Sequence, residues 1–342
     1  MTPPLRPFSS RHGDRRQLLR WLTGMTCGLA GTAANATSAA SGWEGSCVAP
    51  SKPGGGFDLT CALVGDALQS QAGAPALRTR YLPGGIGAVA YHQAATGALR
   101  DEPMVIAFSG GSLLNIAQGR FGPHTHDSVR WLCTLGFDYG VIAVRPDSPF
   151  KKLADLVNAL RAGADRVAFG AGGTIGSQDW CKAALLVRAA AQDHRPMRFV
   201  SFEGGGDAMK ALLGGHVDVF TGDAAEAWKL GRQGTPLRVL AALSPQRLAG
   251  DMALWPTARE QGIDLTWPTV RGLYMPPQVP DQVFARWEQA LHQALHAPAF
   301  AALCLRHGLE AAPLTGPALR RYIQTEMQRY AQLMQTLGLR RW

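Results

Sequence analysis

The sequence predicts a two-lobed α/β fold, with a central, mainly parallel sheet in each lobe and crossing strands that join the lobes. Units of strand, glycine-rich loop and helix occur in two sets along the chain, which is the pattern of parallel sheets with right-handed connections. Between the sets, residues 129–145 contain two apolar runs with no helix between them. We therefore expect residues 41–140 with 266–342 to form the first lobe and residues 141–265 the second.

Three strand–loop–helix units make up the first set. Their predicted strands are the apolar stretch after Trp43, Leu77–Leu82 and Met104–Phe108. The last is an uninterrupted apolar run, as expected of a parallel strand that is buried on both faces. In the first unit Asp58 is either the N-cap of the helix that follows three glycines or an acceptor for a ligand hydroxyl or ammonium group.

The second set repeats this design, with glycine-rich loops at 170–177 and 203–207. Its predicted strands are Val167–Phe169, Met197–Phe202, Val217–Phe220 and Pro236–Leu243. Thr269–Met275 is the expected returning crossing strand. Two long helices, at 281–307 with an interruption at Pro298 and at 317–337, are expected to pack on the first lobe.

The carboxyl ends of the strands should face a cleft between the lobes, because ligands of open parallel sheets bind there. Glycine-rich loops and helix N-termini offer unpaired N–H groups to an anion at such a place. The hydroxyls of Ser109, Ser112, Thr174 and Ser177 stand at strand ends, where each either binds a ligand carboxylate or caps a helix. Arg145 and Arg271 fall on the crossing segments, either as partners of an acidic ligand or as surface residues.

Several other functions are disfavoured by the sequence. Of the formal net charge of +9, +4 lies in residues 1–36. The remaining +5 suits an anionic ligand, although a solvated basic surface explains it equally well. Lys/Arg runs with interleaved aromatic residues are missing, so we expect no nucleic-acid binding. Ile175 stands where a dinucleotide motif starting at Gly170 needs glycine. Neither G-x-S-x-G nor a phosphate-binding loop motif occurs, and His292 and His296 are expected to lie on a solvated helix face. We therefore expect no enzyme activity, no cofactor and no metal.

Residues 1–40 have the features of an export signal. Arg15 and Arg16 precede a short, weakly apolar stretch, and small residues at 34–36 or 38–40 are candidate cleavage sites. The sequence leaves twin-arginine and general export open, and either places the mature protein in the periplasm. Removal of Cys27 leaves an odd number of cysteines. Cys47 and Cys61, which flank the first glycine loop, are either disulfide-bonded or buried free thiols.

Three motifs resemble one known family, the substrate-binding proteins of tripartite tricarboxylate transporters, also called Bug or TctC receptors. They are Ala49-Pro50-Ser51-Lys52-Pro53-Gly54-Gly55-Gly56-Phe57-Asp58, Leu82-Pro83-Gly84-Gly85-Ile86-Gly87-Ala88, and the stretch from Gly205 to Asp218. The resemblance implies a monomeric periplasmic binding protein of the Venus flytrap type. Such a protein captures one small carboxylate, citrate-like in this case, and delivers it to membrane permease subunits.

The resemblance also implies the ligand-binding residues. In the first lobe they are Gly55, Gly56, Phe57, Asp58, Gly84, Gly85 and Ile86, and in the second lobe Thr174, Ser177, Gly205 and Asp223. Ser109 is added because of its position at a strand end. Two alternatives remain: the same fold presents its ligand to a membrane sensor kinase, or the protein is a secreted hydrolase that uses Ser/Asp chemistry.

Overall fold

The computed structural model describes residues 43–71, 73–99 and 104–341. The predicted export signal and Cys27 lie outside these ranges. Within them, no helix combines the length and the apolar character needed to cross a membrane.

The first part of the chain alternates strands and helices as predicted, and then crosses to the second lobe. Its elements are β1 (Glu44–Ala49), α1 (Gly56–Gln69), β2 (Ala76–Tyr81), α2 (Ala88–Ala95), β3 (Met104–Ser109), α3 (Gly110–Ala117) and β4 (Arg130–Tyr139).

The second part repeats the alternation. Its elements are β5 (Val141–Val144), α4 (Leu153–Ala162), β6 (Ala168–Gly172), α5 (Gln178–Ala189), β7 (Arg198–Phe202), α6 (Gly205–Leu213), β8 (Val219–Phe220), α7 (Ala224–Arg232) and β9 (Arg238–Ala242). The chain then returns through β10 (Pro268–Met275), α8 (Asp281–Leu295), α9 (Phe300–Arg306), β11 (Glu310–Leu314) and α10 (Gly316–Thr336).

The strands form two mixed sheets among the described residues. The first has the order β11-β4-β10-β3-β1-β2 and the second β7-β6-β8-β5-β9. In the first sheet the pairings among β1, β2 and β3 are parallel, and those made by β10, β4 and β11 are antiparallel. In the second sheet the pairings among β6, β7 and β8 are parallel, and those made by β5 are antiparallel. The two-lobed α/β fold is thus confirmed, but the expectation of mainly parallel sheets is wrong. The strand by which the chain enters each sheet from the other lobe, β5 in the second sheet and β10 in the first, runs opposite to the parallel strands beside it. The pattern of apolar residues along the sequence does not reveal strand direction.

The two crossings between the sheets lie side by side. Only Gly140 separates β4 of the first sheet from β5 of the second. The Gly140 N–H donates to the carbonyl of Trp267, just before β10, at 2.9 Å, and the Trp267 N–H donates to the carbonyl of Leu243 at 2.7 Å. The predicted crossing strands are therefore confirmed, and they meet at one short hinge.

Apolar side chains from both lobes form one large core cluster, which includes Phe108, Phe169 and Trp267. Helix α10 contributes Ile323 and Tyr330 to this cluster, and Leu337, the C-cap residue of that helix, also belongs to it. Helix α10 packs against α3 and β4, as expected. It also reaches the second lobe, since the His194 Nε2 atom lies 3.2 Å from the Leu337 carbonyl oxygen.

Candidate functional site

A cavity of about 940 Å³ lies between the two lobes. Its walls come from the loops that follow parallel strands in both sheets and from helices α6 and α7. The lining residues are 50–55, Phe57, 83–86, 173–174, 201–207, Met209, Lys210, Leu213, Glu226, Lys229, Leu230, Gln233 and Thr235. The cavity thus occupies the position where we expected the cleft.

The loop between β1 and α1 is held in shape by Asp58. Helix α1 begins at Gly56, and its N-cap is Gly55, with φ −93° and ψ −177°. The prediction that Asp58 is the N-cap is therefore wrong. Asp58 lies in the first helical turn, where Oδ2 accepts a hydrogen bond from the Gly54 N–H at 2.8 Å and Oδ1 accepts one from the Tyr81 hydroxyl at 2.7 Å. Asp58 does not line the cavity, so its carboxylate ties the loop to β2.

A disulfide bond joins the two ends of this unit. Cys47 of β1 and Cys61 of α1 are bonded, with their Cα atoms 5.5 Å apart. The structure decides between the two alternatives that the sequence left open. Cys133, Cys181 and Cys304 are free thiols, and all three are buried.

Gly56 makes room for an arginine from the returning crossing strand. A Cβ atom at position 56 would overlap the guanidinium of Arg271, whose side chain is only 4% exposed. The first glycine loop therefore rests on a buried positive charge. Arg145, the other candidate arginine, pairs with Asp147 at 3.3 Å and does not line the cavity.

The second glycine loop contains a residue in an unusual backbone conformation. Gly84 and Gly85 have φ values of 145° and 55°, and Ile86 has φ 53° and ψ 48°. A β-branched residue in the left-handed region is strained. Its side chain reaches across to the second lobe, since a Cβ on Gly173 would lie 2.8 Å from Ile86 Cδ1. Ile86 thus lines the cavity and also contacts the opposite lobe.

Two predicted second-lobe residues line the cavity, and the serines do not. Thr174 Oγ1 accepts a hydrogen bond from Arg120 at 2.7 Å, and Gly205 is the first residue of α6. The Ser177 hydroxyl caps α5, accepting from the Trp180 N–H at 3.3 Å and donating to the Gly172 carbonyl at 3.1 Å. Ser109 caps α3 in a reciprocal arrangement with Ser112. Of the two roles that the sequence left open for Ser109 and Ser177, ligand binding and helix capping, both residues have the capping role.

Asp223 lies in a buried charge network instead of the cavity wall. Its carboxylate accepts hydrogen bonds from Lys182 Nζ (2.7 Å), Arg271 Nη2 (2.8 Å), Gln178 Nε2 (3.1 Å) and Thr269 Oγ1 (3.2 Å). Lys182 also donates to Asp179 at 2.7 Å, and Arg271 also donates to Asp138 at 2.8 Å. These residues come from both lobes, so the network connects the lobes at the hinge.

Glu226, which was not predicted from the sequence, lines the cavity from α7. Its Oε1 atom is buried and has no hydrogen-bond partner, and a Cβ on Gly205 would overlap its Oε2 atom. Burial, followed by the charges of Asp223 and Asp179, raises the pKa of Glu226 to about 8. The sequence feature that could have identified Glu226 is an acidic residue between two small apolar ones, Ala225 and Ala227, in the helix that follows a strand end.

Charged side chains of both signs line the remaining wall. Lys52 of the first lobe forms an ion pair with Glu203 of the second across the cavity mouth. Lys210 pairs with Asp207 at 3.3 Å, and Lys229 lies on α7, three residues after Glu226. Among the described residues, no cluster of three or more His, Cys, Asp or Glu side chains could hold a metal ion.

Comparisons with known proteins agree with this architecture. A family model described as the tripartite tricarboxylate transporter family receptor matches residues 123–339, more than half of the chain. The UPF0065 protein in the gbd 5′ region of Cupriavidus necator is 22% identical over 60% of this chain and 60% of its own length. The match thus spans less than two thirds of that relative.

Solved structures share the fold at low sequence identity. The periplasmic binding protein BugD is 20% identical, with a TM-score of 0.74 over 87% of this chain and 98% of its own. Rpa4515 of R. palustris, solved with adipate, is 17% identical, with a TM-score of 0.75 over 87% of this chain and 98% of its own. On the strength of the family match, the chain belongs to the tripartite tricarboxylate transporter receptor family, a family of periplasmic solute-binding receptors.

Proposed function

We propose that this protein is an exported, monomeric receptor that binds a small di- or tricarboxylate between its lobes and delivers it to the permease of a tripartite tricarboxylate transporter. The observation that carries this proposal is the cavity of about 940 Å³, to which both lobes contribute a glycine loop that leads into a helix. A volume of this size lies within the range of small-molecule sites.

The helix N-termini at the cavity suit an anion. Helices α1 and α6 have Gly55 and Gly204 as N-caps, and glycine has no side chain that could accept a hydrogen bond from the first-turn N–H groups. Their first-turn N–H groups have no intrahelical acceptor, and the helix dipoles place partial positive charge there. Lys229 adds a positive charge to the cavity wall, as do Lys52 and Lys210, which are paired with Glu203 and Asp207. A ligand with two or three carboxylates would satisfy these donors.

The predicted binding residues divide into two groups in this proposal. Those at the cavity contact the ligand, and those behind it position the loops. The first group is Gly55, Phe57, Gly84, Gly85, Ile86, Thr174 and Gly205, and the second is Gly56, Asp58, Ser109, Ser177 and Asp223. The adipate in the Rpa4515 structure supports a carboxylate ligand for this chain.

Calorimetric titration of the full chain tests the binding step. The protein is first unfolded and refolded without reductant, which removes carried-over ligand and keeps the disulfide. Citrate, malate, adipate and glutamate are then compared with a neutral sugar. We expect 1:1 binding of at least one acid and none of the sugar. Sugar binding, or no acid binding by a folded protein, would contradict the proposal.

Delivery to a permease requires a separate experiment in cells. Deletion of the gene should abolish uptake of the radiolabelled acid that binds best, and expression of the wild-type chain should restore it. Normal uptake in the deletion strain would remove the transport role and leave the binding role intact.

A further inference from the structure

We propose that Glu226 recognises a second carboxylate of the ligand, to which its neutral carboxyl group donates a hydrogen bond. The inference rests on the proposed function, because it assumes that a carboxylate occupies the cavity. It goes further by assigning a specificity role to one side chain that neither a motif nor a resemblance indicated.

The position of Glu226 places it on the second-lobe wall of the cavity, opposite the glycine loops of the first lobe. It stands in the first turn of α7, directly against the first residue of α6, Gly205, whose missing side chain leaves the space that the Glu226 carboxyl occupies. The same wall carries Lys210 and Lys229. A ligand carboxylate here would meet the α6 N-terminus and the Glu226 carboxyl together.

The carboxyl of Glu226 has unused hydrogen-bonding capacity. Its Oε1 atom is buried without any partner, although buried polar atoms are nearly always paired. The other acids around it are all occupied: Asp223, Asp179 and Asp138 each accept hydrogen bonds from Lys182 or Arg271. Of these four acids Glu226 is the one that lines the cavity, so a ligand reaches its carboxyl group through the oxygen other than the enclosed Oε1.

The surrounding charges favour the neutral form of Glu226. On the buried side, three carboxylates, Asp138, Asp179 and Asp223, face two cations, Lys182 and Arg271. An ionised Glu226 would add a further negative charge to this group without a partner cation. On the cavity side the facing charged groups are Glu203, Asp207, Lys210, Lys229 and Lys52. Burial and the neighbouring carboxylates raise the pKa of Glu226 to about 8, so the proton is present at neutral pH.

A neutral carboxyl can do what an ionised one cannot. It donates its O–H to a ligand carboxylate, whereas an ionised Glu226 would repel the same group. Binding of a dicarboxylate should therefore weaken when Glu226 loses its proton. With a pKa of about 8, the affinity should fall by about tenfold between pH 7 and pH 9, through linkage of proton and ligand binding.

The test uses the full chain and one matched pair of acids, adipate and hexanoate, which differ only in the second carboxylate. Affinities are measured by calorimetry at pH 7 and pH 9 for the wild type, Glu226→Gln, Glu226→Ala and Glu288→Gln. The last variant removes a carboxylate of α8 that does not line the cavity. If citrate or malate binds more tightly than adipate, that acid and its analogue without one carboxylate replace the pair.

We expect the wild type to prefer the diacid, and Glu226→Ala to lose about tenfold in diacid affinity at pH 7, the usual contribution of a hydrogen bond to a charged group. Glu226→Gln retains a donor at every pH, so its diacid affinity should match the wild type at pH 7 and lose the decline towards pH 9. Glu288→Gln should behave like the wild type in both respects.

Three results would overturn the inference while leaving the proposed function standing: equal binding of diacid and monoacid, unchanged diacid affinity in Glu226→Ala, or strong loss of diacid affinity in Glu226→Gln. The last result would mean that an ionised Glu226 binds a donor group of the ligand. Absence of acid binding by the wild type would instead overturn the proposed function, and the inference with it.

Discussion

Arg271 of β10 and Asp223, which directly precedes α7, form a buried ion pair across the junction of the two lobes, with Nη2 and Oδ2 2.8 Å apart. The same Nη2 atom also donates to Asp138 of β4 at 2.8 Å. One guanidinium thus connects both crossing strands to the start of a second-lobe helix, and this side chain is buried.

Replacing Arg271 by methionine should lower the free energy of unfolding by about 3 kcal/mol, because removal of one partner leaves buried charges uncompensated. Urea unfolding measures the change. Arg145→Met is the control, since that arginine is partly exposed and its ion pair should contribute less than about 1 kcal/mol. Equal effects of the two substitutions would contradict a structural role for the buried pair.

Gly56→Ala should weaken ligand binding by at least about tenfold and destabilise the fold by about 1–3 kcal/mol, because the new methyl group collides with Arg271. Gly65→Ala is the matched control. This glycine lies in the same helix α1 and outside the cavity lining, and its added Cβ would have no atom within 4 Å. Calorimetry and urea unfolding of both variants check this prediction, which fails if they behave alike.

The backbone strain at Ile86 predicts that a glycine variant at this position is more stable than an alanine variant, the reverse of the usual order of stability. Both Ile86→Ala and Ile86→Gly remove the side chain that meets Gly173, but only glycine adopts φ 53° without penalty. The glycine variant should therefore be more stable than the alanine variant by about 1 kcal/mol. Thermal unfolding without ligand compares them. A more stable alanine variant would mean that residue 86 does not keep this conformation.

The disulfide between Cys47 and Cys61 closes a short loop, since the two residues are 14 positions apart. Its reduction should lower the free energy of unfolding by about 3 kcal/mol. Urea unfolding with and without reductant measures this, and a Cys47→Ala/Cys61→Ala variant should show no response to reductant. A non-reduced digest should contain the peptide pair joined through these cysteines; its absence would contradict the assignment.

Without ligand, the Glu226→Gln variant should be more stable than the wild type by an amount that increases with pH. The folded-state pKa of Glu226 is about 8, above its ordinary value of 4.5. Between these pH values the folded chain holds a proton that the unfolded chain has released, so this group makes the wild type lose stability as pH rises. The variant cannot ionise, and its advantage should grow from pH 4.5 to 8 and then level off. Melting temperatures across this range test it; a constant difference would contradict the shift.

The sequence predicted the strand–loop–helix order well because glycine-rich loops and apolar runs are local signals. It also located both crossing strands. It missed β11, since Pro313 within Glu310–Leu314 argues against a strand, and this strand is tolerated only at the edge of the first sheet. The sheet order could not be predicted, because antiparallel insertion of β10 between β3 and β4 depends on contacts between distant parts of the chain.

For the site, the glycine loops were predicted and the polar groups were not. Asp223 follows a strand end, as a ligand-binding residue would, but its role depends on Lys182 and Arg271, which are distant in sequence. Glu226 lacks any motif, and only folding reveals that it meets Gly205. Residue type at a strand end therefore indicates where a cleft lies, whereas the partners of each side chain decide which residues face it.

The hydrogen bond between Gly140 and Trp267 has a consequence for how such a molecule can diversify. The chain leaves the first lobe and returns to it at neighbouring points, so the segment between them is a cassette with adjoining ends. Exchanging that cassette for the equivalent segment of a relative needs two junctions, at positions already in contact, provided that the new segment keeps an acidic partner for Arg271. The cassette carries Glu226, while the glycine loops at 50–57 and 83–86 belong to the rest of the chain, so the two walls of the cavity can change independently of each other.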